Sequence, residues 1–176
     1  MESTTGFITK KLKLKVNSEK SAVARPWERK FLGFSFTAKE PQRRRIAPKS
    51  MVRFKARVRE PTRRTRGVSL QGMVGELNVY LRGWHGYFGF CQTPWVLEDL
   101  DRWIRRKLRC FMWKQWKRGR TRYKELRQRD VNGVLAAKTA GSPHGPWRLS
   151  QSPALCLAFP NAYFDGIGLF RLVGGR

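Results

Sequence analysis

With 38 lysines and arginines against 12 aspartates and glutamates, the 176-residue chain carries a formal charge of +26, a balance whose default partner is a polyanion, above all nucleic acid. An apolar share of 40% and an aromatic share of 12% exclude a disordered polybasic tail and allow one domain, or one and a half, with a sizeable core. No apolar run is long enough to cross a bilayer and the first residues lack the apolar stretch of a secretory signal, so no membrane association and a cytoplasmic location are the simplest expectations.

The charge is uneven: residues 41–138 hold 26 of the bases and 7 of the acids, and residues 139–176 only 3 and 1. Cys91, Cys110 and Cys156 are odd in number and have no partner at metal-ligand spacing, so they are expected as buried thiols in a reducing compartment, with no metal site.

In chain order, Phe7 and Ile8 suit a helix end, after which Leu12, Leu14 and Val16 alternate in strand fashion and Asn17 and Ser18 supply turn chemistry. The run from Lys30 to Phe36 is aromatic and alternating, with Gly33 at its centre. It reads as one arm of a hairpin whose glycine permits a bulge or the close approach of another backbone. A small antiparallel strand unit is therefore predicted near residues 12–37, followed by a basic linker from Glu40 to Arg45.

Met51, Phe54 and Val58 after Pro48 predict a helix near 48–60, with Lys49, Arg53, Lys55, Arg57 and Arg59 on its other faces and Pro61 ending it. The loop that follows holds Arg63, Arg64 and Arg66 beside hydroxyl residues, as a phosphate contact or a solvated turn. Leu70, Met73, Val74, Leu77, Tyr80, Leu81, Trp84, Tyr87 and Phe88 keep the three-then-four spacing of a helix near 69–88 with Ser69 as N-cap. Thr93 as N-cap and Pro94 in the first turn open a third helix near 94–117, whose stripe is Leu97, Leu100, Trp103, Ile104, Leu108, Phe111 and Trp116.

On that third helix Glu98 with Arg102 and Asp101 with Arg105 stand four apart and can pair, but no acid lies in reach of the later bases. Past it, basic residues continue to Arg129 with Trp113, Trp116 and Tyr123 interleaved, a mixture that suits RNA, although the tryptophans serve equally well as core. The candidate RNA-binding set is Arg63, Arg64, Arg66, Arg105, Arg106, Arg109, Lys114, Lys117, Arg118, Arg120, Arg122 and Tyr123. A weak helix near 131–138 and an irregular stretch around Pro143 to Trp147 complete the chain, with His144 an ordinary loop histidine.

Several ordered blocks together resemble one family. Leu14, Val16, Asn17, Glu19 and Lys20, followed by Phe31, Leu32, Gly33 and Phe34, resemble the end of a reverse transcriptase palm, where the last four form a primer-grip turn. The blocks Arg45 to Ser50, Thr62 to Gly67, Tyr80 to Trp84 with Gly86 to Phe88, Trp103 to Arg109 with Trp113 to Lys117, and Pro160 to Phe164 resemble the maturase domain, or thumb, of group II intron-encoded proteins. The resemblance implies an α+β, mainly α fold: a strand hairpin from the palm, a three-helix thumb bundle, and an irregular helical tail. It divides the chain into residues 1–40 (palm remnant with the primer-grip-like hairpin), 41–118 (thumb) and 119–176 (basic helix and loop-rich tail).

The same resemblance implies group II intron RNA as partner and assistance to splicing as function, with Mg2+ belonging to the RNA or to a full-length polymerase and no cofactor held by this chain. RNA-directed DNA polymerisation needs paired carboxylates for two metal ions, and the aspartates here are Asp99, Asp101, Asp130 and Asp165, all downstream of the palm-like segment. Asp99 and Asp101 are two apart on a helix and point to different sides. Met1 would thus fall part-way through the family's palm, and no catalytic residue is expected. The alternatives are the C-terminal part of a split or truncated polymerase, active only with a separate palm and fingers polypeptide, and the decayed product of a mobile genetic element.

Overall fold

A computed structural model describes residues 2–17, 21, 23–63 and 67–174. Among them it is mainly helical, with one two-stranded antiparallel sheet. The elements are α1 (Glu2–Lys10), β1 (Phe34–Phe36), β2 (Arg44–Ile46), α2 (Pro48–Arg59), α3 (Leu70–Phe88), α4 (Pro94–Gln115), α5 (Gly119–Arg127), α6 (Gly133–Ala140), α7 (Pro146–Leu149), α8 (Pro153–Ala158) and α9 (Asn161–Gly166).

The three central helices follow their apolar stripes. Pro48 opens α2 after an extended Ala47, and Phe54 and Val58, four apart, are fully buried. Ser69 caps α3 by accepting a hydrogen bond from the Gly72 N–H at 3.1 Å, and Met73, Val74, Leu77, Leu81 and Trp84 face inward. Phe54 meets Trp84 at 4.5 Å between ring centroids and Tyr80 at 5.7 Å, which seats α2 on α3. On α4 the inward stripe is Leu97, Leu100, Ile104, Leu108 and Phe111, whereas Trp103 is only half-buried.

Four local expectations are corrected. Thr93 stands at the N-cap of α4 but makes no side-chain cap, and its Oγ1 is buried without a partner. The Val96 N–H, which such a cap would engage, already donates to the Thr93 carbonyl at 3.0 Å. Arg102 pairs with Asp99 at 2.8 Å instead of with Glu98. The alternating segment at Leu12 to Val16 forms no strand, because no described strand lies beside it and Leu12 and Leu14 stay exposed. The partner of β1 is β2, in the segment read as a linker, with Phe34 opposite Ile46 and Phe36 opposite Arg44. The pairing thus joins the two sides of residue 40.

The tail is structured. Asn132 caps α6 and Ser152 caps α8 through side-chain oxygens that accept from Val134 and Leu155 N–H groups. Phe159 and Phe164 are fully buried and continue an aromatic series that begins at Trp113 and Trp116 on the end of α4. The core is therefore shared between α2 to α4 and the tail.

Candidate nucleic-acid interface

The bases on α4 divide by what they touch. Arg105 is 5% exposed, with its guanidinium between Asp101 at 3.9 Å and Asp165 of α9 at 3.5 Å. The expectation that Arg105 lies on an outward face is corrected, because α9 and the segment after it cover that side of α4. Asp101 is buried as well, and accepts hydrogen bonds from the Leu172 N–H at 3.0 Å and the Val173 N–H at 3.3 Å. Burial pushes the Asp101 carboxyl up, against the opposing pull of those N–H groups and of Arg105. Asn78 on α3 grips the same strap, donating to the Gly168 carbonyl and accepting from the Phe170 N–H.

Arg106 and Arg109 also turn to the tail. Arg106 donates to the Trp147 carbonyl at 3.0 Å and to Ser150 Oγ at 3.4 Å. Arg109 donates to the Phe159 carbonyl at 2.9 Å with its guanidinium above the Phe164 ring. Carbonyls in or just after the last turn of a helix lack intrahelical partners, so arginine forks are suited to complete α7 and α8. Arg122 does the same for the Trp116 carbonyl at 2.9 Å and lies 4.6 Å from the Trp113 ring. Trp113 and Trp116 are core.

The outward bases begin at Lys114. Lys114, Lys117, Arg118 and Arg120 are exposed, and Tyr123 keeps 40% of its surface exposed. Arg63 is exposed on the edge of an open cavity with Arg57, Glu60 and Tyr80. Arg64 and Arg66 lie outside the described residues.

Sequence reasoning left out a neighbouring group. Lys55 and Arg59 of α2 stand 5.7 and 5.6 Å from the Trp103 ring on α4. Lys107, one turn further along α4, stands 5.9 Å from the ring of Trp147. Burial pulls the Lys107 ammonium's pKa down, and the like charges of Lys114 and Arg59 add to it. The i, i+4 spacing of Lys55 with Arg59 and of Trp103 with Lys107 gave a signal, since each pair shares a helix face, but only packing shows that the two faces meet.

The primer-grip-like residues form a tight turn. Phe31 and Phe34 exchange both backbone hydrogen bonds, at 2.9 Å each, around Leu32 at φ +47° and Gly33 at φ +79°. Two consecutive positive φ values are what a type I′ hairpin turn requires. A Cβ at Gly33 would come within 3.0 Å of the Phe88 ring and 3.1 Å of Ser50 Oγ, so the close approach is by two side chains and not, as expected, by another backbone. Tyr87 Oη donates to the Leu32 carbonyl and Ser50 Oγ to that of Gly33. Phe34 is buried among Tyr87, Phe88 and Phe90, while Phe31 and Leu32 are the exposed tip.

Asp99 is exposed and bound to Arg102, whereas Asp101 is buried against the strap, so the two carboxylates face different surroundings. No group of three His, Cys, Asp or Glu among the described residues is placed to share a metal ion. No helix of the described residues is long and apolar enough to cross a membrane. In comparison with known families, residues 51–129 match the group II intron, maturase-specific domain. A search of curated proteins returned no match to the chain.

Proposed function

This chain belongs to the group II intron maturase family, and we propose that it binds structured intron RNA through its outward bases and thereby assists splicing. The observation that carries this reading is the exposed series Lys114, Lys117, Arg118 and Arg120 at the end of the third helix of a matched maturase domain. With Lys107 and Arg59 in the same region of the domain, these side chains offer positive charge that no described carboxylate neutralises. The RNA supplies the splicing chemistry. The protein contributes binding energy, and a ligand that prefers the folded RNA shifts its folding equilibrium by the difference in affinity.

The test places the chain with an intron transcript, a primer, deoxynucleotides and magnesium, and scores spliced exons and extended primer. Spliced exons are expected and primer extension is not, because Asp99 and Asp101 diverge and two-metal catalysis needs carboxylates that converge. If about six to ten phosphates are engaged, affinity falls by roughly three to five decades between 50 and 200 mM salt. A flat salt response, or equal affinity for random transcripts, overturns the reading and favours the decayed-element alternative.

A second reading is favoured by exposed apolar side chains in the first part of the chain: Phe7, Leu12, Leu14, Val23, Phe31 and Leu32. A separate palm and fingers polypeptide would cover them and supply the polymerase carboxylates. Primer extension only on mixing with such a chain would establish it.

A further inference from the structure

Resting on the RNA-binding reading above, the geometry points to Trp147 as a stacking platform for an unpaired RNA base, flanked by cations that hold the adjoining phosphates. Trp147 sits in the short helix α7 and keeps 39% of its surface exposed, while Trp113 and Trp116 are buried. Its ring and its carbonyl are both contacted by Arg106. The guanidinium of Arg106 lies 3.8 Å from the ring centroid and donates to the residue's own carbonyl at 3.0 Å. Ser150 Oγ donates to the same carbonyl at 2.6 Å and accepts from Arg106 Nε.

Cations stand beside it. Lys107 Nζ is 5.9 Å from the ring, and Lys55 and Arg59 stand 5.7 and 5.6 Å from the ring of Trp103, one turn back along α4. Among the described residues none of Lys107, Lys114 and Arg59 forms an ion pair. An aromatic ring with Arg106 on one face and part of its surface open, beside the unpaired ammonium of Lys107, matches the two recognition elements of an unstacked nucleotide, a π-face and a phosphate. A paired base keeps both faces inside the duplex and offers the ring nothing, so the platform selects loops, bulges and single strands over helices.

The experiment compares wild type with Trp147→Phe, which can still stack, and Trp147→Leu, which fills space but cannot. The probes are an oligoadenylate of about twelve nucleotides, a duplex of about twelve base pairs, and an abasic ribose-phosphate oligomer of the oligoadenylate's length. Trp147→Leu is expected to weaken oligoadenylate binding about 5- to 150-fold, with duplex and abasic binding within about twofold of wild type. Trp147→Phe is expected to retain most of the affinity. If Trp147 only anchors the tail, both substitutions act alike and lower binding to every probe equally, which overturns the proposal. No loss with either variant, or no oligoadenylate binding by wild type, also overturns it. Failure of the RNA-binding reading is distinguishable, because then wild type does not bind the intron transcript either.

Discussion

Two sets of cations share α4 and its exit, and they have opposite fates. Arg105, Arg106 and Arg109 turn into the tail, where they meet carboxylates and backbone carbonyls. Lys114, Lys117, Arg118 and Arg120 face outward, and Lys107 is half-buried beside an exposed tryptophan. Within the helix, from residue 105 onward, the inward set is all arginine and the rest all lysine. The division has a physical basis. A guanidinium is weakly hydrated and presents a rigid fork that fits carbonyls and carboxylates, whereas an ammonium is a strongly hydrated point charge that is costly to bury. Formal charge therefore overstates the surface available to a polyanion, because part of it is internal mortar for the tail.

The largest effect that would break this comparison belongs to Arg105→Ala. It leaves Asp101 buried without its nearest cation and is expected to cost about 3 to 5 kcal/mol in urea unfolding; a loss below about 1 kcal/mol, the range of exposed ion pairs, would show that Arg105 is not internal. Next is Arg106→Glu, a substitution that sequence position alone marks as a harmless surface change. It removes two hydrogen bonds and the stacking of the guanidinium on the Trp147 ring, and a loss of about 1 to 3 kcal/mol is expected. An unchanged melting temperature would return Arg106 to the outward set.

The outward set is tested by Lys114→Glu with Lys117→Glu. Stability should stay within about 0.5 kcal/mol of wild type. The slope of log affinity for intron RNA against log salt should flatten by roughly one for each phosphate that the two lysines no longer hold. An unaltered slope would remove these lysines from the interface. The smallest effect concerns pH. Burial raises the Asp101 carboxyl above its unfolded value, so between the two values the folded chain binds more protons than the unfolded one. The group's contribution to stability is present below the unfolded value and declines as pH rises through the folded one. Asp101→Asn should remove that part of the acid-range slope, and an identical slope in the variant would show that Asp101 does not titrate in this way.

The three central helices were legible because each carries a complete local record: a three-then-four apolar stripe and a proline or serine at its start, as at Pro48, Ser69 and Pro94. The small sheet was only half legible. Phe34 to Phe36 announced a strand, but Arg44 to Ile46, two arginines and an isoleucine, have no apolar alternation to declare one. Leu12 to Val16 has the alternation but no strand of the described residues beside it, and a strand without a ladder has unpaired backbone groups and no reason to stay extended. Among the candidate site residues, Lys117, Arg118 and Arg120 could be placed outward from sequence because they follow the end of the apolar stripe at Trp116.

What the sequence determined by itself was the excess of positive charge, through composition, and the positions of α2, α3 and α4, through periodicity, since neither depends on which distant parts of the chain meet. Tertiary structure alone decided which cations remain free. Asp101 finds Leu172 and Arg109 finds Phe159 across long stretches of chain, and Lys107 comes beside Trp147 only because α7 packs on α4. A basic side chain looks the same in sequence whether it is to be covered or exposed; the packing of the tail, driven by Phe159, Phe164 and Leu172 leaving water, makes the distinction.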